Sequence, residues 1–319
     1  MPAGFKQVAL HVLVAAFVGT RSLLPRVTII SDVYTLATNG LFPPSLRRDI
    51  ITVLTSQATN TSNDAVVSTT EIASDDDIHL SSAFIRMSFF CSIRPSECQD
   101  RIETTTNIDW IRKAATALES VKLSHPHVSY LDLYTYAGLV ALMHEGGPYI
   151  PYSFGKRGTT IESTGGTGNT PKNDPFEEVD ILSDPKKALS KVKDLYMTKL
   201  GFDVKDSVLL VFAYTLKRCG ETGNDGSNNK NHLLGKNNAF QILLQAEAWT
   251  KIKGKKGKQS RQFFENVVGE NTYVMLPTCL ALMKDPEMTS AINAYANSQN
   301  LLSKDLASAY NKLLSLSLA

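Results

Sequence analysis

Residues 201–219 read GFDVKDSVLLVFAYTLKRC, and the way this stretch folds decides how the rest of the chain is arranged. Gly201-Phe202-Asp203 interrupts the preceding pattern. Lys205-Asp206 then sets an acid in the first turn of a new helix, where the positive end of the helix dipole favours it. Nine of the eleven residues from Val208 to Arg218 are uncharged, so the pattern predicts a buried helix with Lys217 and Arg218 as cations in its last turn. Tyr214 is the one group in it equipped for chemistry. As a plain core residue it needs a hydrogen-bond partner for its hydroxyl.

The chain around this helix has 319 residues, enough for a large core in one big domain or two lobes. Apolar residues make up 43% and charged residues 20%, ordinary values for a globular protein, and a net charge of +2 argues for neither nucleic acid nor membrane. The four cysteines, Cys91, Cys98, Cys219 and Cys279, have no C-x-x-C spacing and make neither a metal set nor a dense disulfide framework. They are expected as free buried thiols in a reducing compartment.

Upstream, residues 1–31 contain Lys6, Arg21 and Arg26 but no acid, and Val8–Gly19 is apolar apart from His11. An acid-free, Arg-bearing start fits a mitochondrial targeting segment. The short apolar run also fits a secretory segment or a membrane anchor. Pro43-Pro44-Ser45 opens a helix to about Ser56, Thr59–Asp77 is a polar loop, and helices are expected over 81–92 and 107–122. His125, His127 and His144 lie around turns and helix ends, where structural roles are usual. Gly158–Asp174 is a Gly/Thr-rich loop. Its Gly165-Gly166-Thr167-Gly168 lacks the Lys-Ser/Thr of a phosphate loop and a preceding strand. Helices follow over 184–199, 239–249 and 304–314. Between the last two, Lys251–Arg261 holds five lysines and one arginine with no aromatic, which reads as a solvated basic loop or a contact for an anionic partner such as RNA or lipid headgroups. DNA is not expected.

Several of these segments, in order, resemble the class I haem peroxidases (the cytochrome c peroxidase and ascorbate peroxidase group). The closest match is Val128-Ser129-Tyr130-Leu131-Asp132-Leu133-Tyr134, then Ala137-Gly138 and Gly146-Gly147-Pro148, against the family's S-Y-A-D-L-Y…A-G…G-G-P. Asp206, Val208, Leu210, Ala213, Thr215, Leu216 and Arg218 follow the family's D-I-V-A-L-S-G-A-H-T-L-G-R. Met275-Leu276-Pro277-Thr278-Cys279, Asp285-Pro286 and Tyr295-Ala296 follow its tail. The resemblance implies an all-α, mainly helical, two-lobed fold with long loops over 40–319. Lobes of about 40–157 and 176–319 would be joined by the loop 158–175.

The residues that carry the family's chemistry read differently. The pattern R-L-A-W-H becomes Arg86-Met87-Ser88-Phe89-Phe90, so Phe90 stands where a base would move a proton between peroxide oxygens. Arg86 keeps the electrostatic half of that task, or pairs with a carboxylate. Tyr214 stands at the iron-ligand position, Cys279 at that of the Asp orienting the ligand, and Leu234 at that of the Trp beside the haem. Phe212, Val211 and Leu209 add volume near the haem position. The first expectation is therefore not an enzyme but a cofactor-free structural or interaction subunit with protein partners, in a mitochondrial assembly. The alternative is a haem protein with Tyr214 as axial ligand, a role that tyrosine fills in catalase, and with weak or altered peroxide chemistry. Arg86 would then face the phenolate or the oxidant, and Cys91 or Cys279 are weaker ligand variants.

Overall fold

In the computed structural model the described residues are 44–60, 79–102, 108–155, 175–176, 184–216, 220–222, 238–244, 249–252, 263–268 and 271–318. The N-terminal segment 1–31, the loop 158–175 apart from Pro175, Leu234, Cys219 and most of Lys251–Arg261 lie outside them.

The first helices are α1 (Pro44–Asn60), α2 (Leu80–Ile93), α3 (Asp109–Ser124) and α4 (Tyr130–His144), with a short 3₁₀ turn at Pro95–Cys98. After them come α5 (Pro185–Val192), running into a π-helical stretch Lys193–Lys199, and α6 (Val204–Tyr214). The last part holds α7 (Asn238–Leu244), α8 (Pro277–Leu282), α9 (Pro286–Asn297) and α10 (Gln299–Ser315). The fold is mainly helical, as the sequence implies. A small sheet was not foreseen: β1 (Gly220–Thr222), β2 (Thr250–Ile252), β3 (Phe263–Val268) and β4 (Asn271–Met275) lie antiparallel in the order β1-β4-β3-β2. Its signal was present, since β3 and β4 are rich in β-branched and aromatic residues and only two residues separate them.

Helix α2 is the centre of the core. Every residue from Leu80 to Ser92 is buried, four serines and Arg86 among the apolar majority. It packs on α4 and α3 from the first half of the chain and on α6 and α10 from the second. Close packing on α4 depends on Gly138, where a Cβ would lie 2.3 Å from Ser88 Cβ and 2.6 Å from the carbonyl oxygen of Phe84.

The motif beginning at Ser129 is structural. Ser129 caps α4 by accepting from the Asp132 amide at 3.0 Å, and its hydroxyl donates back to Asp132 Oδ2 at 2.9 Å. The same carboxylate accepts from the Gly155 amide at 3.0 Å and from the Tyr152 hydroxyl at 3.2 Å, tying down the chain after Pro148. Burial, followed by the Asp132 charge, pushes the Tyr152 phenol well above its ordinary range, so it stays a donor.

α6 begins as predicted. Gly201 takes a left-handed φ of 72°, Asp203 caps the helix by accepting from the Asp206 amide at 2.8 Å, and Asp206 binds Lys312 on α10 at 2.6 Å. The helix ends at Tyr214, the Thr215 hydroxyl donating back to the Val211 carbonyl at 2.9 Å, and Lys217 and Arg218 lie outside the described residues. The thiol expectation is corrected. Cys91 and Cys98 form a disulfide, brought together where the chain leaves α2 and folds back through the 3₁₀ turn. Cys279 is buried and takes no part in a disulfide.

Candidate functional site

Arg86 and Tyr214, from helices 128 residues apart, meet in the interior. Arg86 Nη2 donates to the Tyr214 hydroxyl oxygen at 3.1 Å. Both side chains are sealed from solvent, at 0% and 1% exposure, so this bond forms without competition from water. The Arg86 guanidinium also lies 4.2 Å from the centre of the Trp110 ring and 5.0 Å from that of Tyr214. A desolvated cation on an aromatic face is favourable by about 2 kcal/mol, which helps a buried charge persist here. The partners described for Arg86 are thus a phenol and an indole.

Aromatic rings close round the pair. The Tyr214 ring lies 5.4 Å from Phe89 and 5.3 Å from Phe176, and Phe89 in turn meets Phe176 at 5.2 Å and Tyr310 at 5.8 Å. Tyr310 and Ser88 share a hydrogen bond of 2.5 Å between α10 and α2. Burial raises the Tyr310 phenol above its ordinary range, so it is neutral in this wall.

Of the residues singled out in the sequence, Arg86, Phe89 and Tyr214 come together. Cys279 sits one step behind: its Sγ is 3.4 Å from the Thr215 hydroxyl, next to Tyr214 in the chain. The Phe90 ring carries the Arg94 guanidinium at 5.5 Å, towards the end of α2, and Cys91 is held in the disulfide, which removes it as a thiolate ligand. Phe212 does not fill the space beside Tyr214. Two residues along a helix point about 200° apart, and Phe212 packs on Phe240 at 4.2 Å instead.

Trp110, Phe176 and Tyr310 were missed. Trp110 had a signal, being one of two tryptophans and on the apolar face of α3 with Ile111, Ala114 and Leu118. His125 is structural, with Nε2 2.8 Å from Asp49 Oδ2, joining α1 to the turn before α4. Among the described residues no group of three His, Cys, Asp or Glu side chains could hold a metal ion.

A family model described as "Peroxidase" matches residues 82–298. The chain belongs to this family. It shares 32% identity over 210 residues with a putative heme-binding peroxidase of Pyricularia oryzae, covering 65% of each chain. It shares 29% over 208 residues with the mitochondrial cytochrome c peroxidase of Aspergillus fumigatus, covering 65% of this chain and 52% of that one. A putative mitochondrial cytochrome c peroxidase of Yarrowia lipolytica is 27% identical over 208 residues. The matched region thus spans between about half and two thirds of the length of these peroxidases. The resemblance to the class I group is borne out.

These relatives overturn the expectation that the chain is not an enzyme, because the proteins it matches are named peroxidases. The physical reason is that exchanging histidines removes one acid–base route only. It leaves a buried cation and a buried phenol side by side on the peroxidase scaffold. Haem is likewise the cofactor carried in the names of several relatives, against the first expectation of none.

The arrangement described does not accommodate a haem between α2 and α6. A flat ring in van der Waals contact on both faces separates its neighbours by about 7 Å, twice the usual contact distance. Arg86 and Tyr214 are 3.1 Å apart. No reaction step can be drawn through a macrocycle in that position.

Proposed function

We propose that this peroxidase-family chain is a haem-binding protein with weak or altered peroxide chemistry, in which Tyr214 takes the iron-ligand position in a haem-bound form whose packing between α2 and α6 differs from the one described. The observation that carries this reading is the placement of the Tyr214 oxygen. It is a buried O donor at the end of α6, directed at α2 and set beside the fixed positive charge of Arg86. Tyrosine oxygen is an established kind of haem ligand. Phe90 cannot accept a proton, so a route that needs a base at that position is closed. Arg86 retains the capacity to stabilise developing negative charge.

The names of the relatives support a mitochondrial setting, and the Cys91–Cys98 disulfide favours a compartment that permits oxidation. No helix among the described residues is long and apolar enough to cross a membrane. Protein partners in a larger assembly, and an anionic partner at Lys251–Arg261, belong to the same proposal; the second is supported by charge alone.

Titration of the purified full chain with ferric haem tests the reading, with Tyr214→Phe alongside. The expected result is a Soret band that saturates at one haem per chain and shifts or is lost in Tyr214→Phe. Absence of saturable binding, or an unaltered band in Tyr214→Phe, would overturn it.

A further inference from the structure

We infer that the outward face of α5 is a docking surface for an acidic protein, held by Lys186, Lys187 and Lys191. The inference gives a place and a chemistry to the protein partners proposed above; it rests on that part of the reading and not on haem. The helix is short and fixed. Ala188 and Val192 are buried, α8 packs against it, and its start is set by Pro185 and by the Asp184 cap, which accepts from the Lys186 amide at 3.0 Å. Each residue advances about 100° around a helix, so Lys186, Lys187, Ser190 and Lys191 share an arc of about 140°. All four are exposed.

Helix stability does not explain this face. Lys186 and Lys187 stand in the first turn, at the positive end of the helix dipole, where carboxylates are favoured and cations opposed. Charges further along the same continuous helix are neutralised in place, Lys193 by Asp285 at 2.5 Å and Lys199 by Asp194 at 2.9 Å. Lys186, Lys187 and Lys191, by contrast, make no ion pair among the described residues. Three unpaired cations on a fixed strip, two of them set against the local dipole, are complementary to a surface of carboxylates. The occupant is a protein rather than a membrane. The exposed large hydrophobic residues among the described ones are Leu123 and Tyr149, neither of them on α5, so this face carries no apolar anchor for lipid. Lysine suits such a contact, because a point charge on a flexible stem pairs with carboxylates without a fixed geometry and steers fast, salt-sensitive association.

The experiment measures binding of the full chain to immobilised poly-L-glutamate, an acidic polypeptide, at low and at physiological salt. Three forms are compared: the wild type, the α5 variant Lys186→Gln/Lys187→Gln/Lys191→Gln, and a loop variant with Lys253, Lys255, Lys256 and Lys258 replaced by Gln. Phosphatidylserine-rich vesicles are the second probe. The wild type is expected to bind the polypeptide at low salt and to weaken at physiological salt, as screened surface charges do. The α5 variant should bind roughly 10-fold more weakly, the sum of three surface ion pairs of ordinary strength, while the loop variant keeps most of the affinity. Loss in the loop variant alone would overturn the α5 surface and leave an anionic partner at Lys251–Arg261. Tighter binding to the vesicles than to the polypeptide, lost in the α5 variant, would overturn the protein occupant in favour of a membrane. No binding to either probe by any form would overturn the α5 surface and the basic loop together, leaving the haem reading to its own titration. Thermal unfolding separates docking from a role in folding. Lys186→Gln/Lys187→Gln should melt no lower than the wild type, and a clear drop would show that these lysines serve the fold and overturn the assignment.

Discussion

Gly138→Ala tests the contact that sets the position of α2, and with it Arg86. A Cβ added at Gly138 would lie 2.3 Å from Ser88 Cβ, 2.4 Å from Ser88 Oγ and 2.6 Å from the Phe84 carbonyl oxygen. Ordinary contact begins near 3.5 Å, so the helices must separate by roughly 1 Å. Rotation of Ser88 relieves only the second contact; the first involves a Cβ and the third is backbone. α2 is buried on all sides, so displacement drives it into the elements opposite. Overpacking of this kind costs about 1–3 kcal/mol, and fixed backbone puts this case at the upper end. Replacing a helical glycine returns about 1 kcal/mol of conformational entropy. The net expectation is a loss of about 2 kcal/mol, or roughly 3 °C in melting temperature for a chain of 319 residues. Urea and thermal unfolding of the haem-free protein measure it. Adding Ser88→Gly removes two of the three contacts and should recover part of the loss, with a coupling above about 0.5 kcal/mol. A Gly138→Ala protein as stable as the wild type would refute the reasoning, because it would mean that α2 and α4 do not lie this close.

Tyr214→Phe in the haem-free protein keeps the ring contacts but takes a buried acceptor from Arg86, and is expected to cost about 1–3 kcal/mol in chemical unfolding. Asp285 caps α9 and binds Lys193 at 2.5 Å, and the Lys193 bond, followed by the Met288 amide, holds its carboxyl below the usual range. A lowered folded-state value gives stability that is present above about pH 4 and lost as pH falls further. Asp285→Asn should therefore be less stable than the wild type by about 0.5–1 kcal/mol at pH 7, with the difference shrinking as pH falls below about 4, as read from paired melting curves. Reducing the Cys91–Cys98 bond, or replacing Cys98 by Ser, releases a short loop and should lower stability by about 2–3 kcal/mol on the chain-entropy model. Thiol titration of the unfolded chain with and without reductant, comparing wild type and Cys98→Ser, checks the pairing.

Much of this molecule was open to sequence reasoning because local chemistry repeats in recognisable units. Ser129 and Asp132 fit a helix start, Asp203 with Asp206 fits another, and the apolar run after Ser207 can only be buried. The order of such units carries the fold. What escaped was set by contacts distant in sequence. Phe176 follows a polar loop and gives no periodic signal, yet it lies against Tyr214 at 5.3 Å. Tyr310 reads as one more apolar-face residue of α10, and only packing brings its hydroxyl to Ser88. Cys91 and Cys98 have an uninformative spacing until the chain reverses after Ile93. Phe212 was placed by volume alone, whereas helical rotation turns it towards Phe240.

The pairing of Arg86 with Tyr214 also accounts for a feature that sequence comparison leaves unexplained: why an arginine stands unchanged on α2 when the neighbouring proton acceptor reads as Phe90. A guanidinium buried in the core is costly unless its donors and charge find partners. At the end of α6 a histidine is too short to meet it, while the longer tyrosine carries a hydroxyl to within 3.1 Å. The rings of Trp110 and Tyr214, with centres 4.2 and 5.0 Å from the guanidinium carbon, help take up the charge. Arg86 and Tyr214 therefore form one physical unit. Replacing Tyr214 by histidine alone should not restore the site of the relatives, because it would strip the hydroxyl partner from Arg86 without supplying a base at Phe90. Paired replacement, Tyr214→His with Phe90→His, is the smallest change that frees Arg86 and supplies both histidines together. If Tyr214→His alone gave full peroxidase turnover, the two residues would not be the coupled unit described.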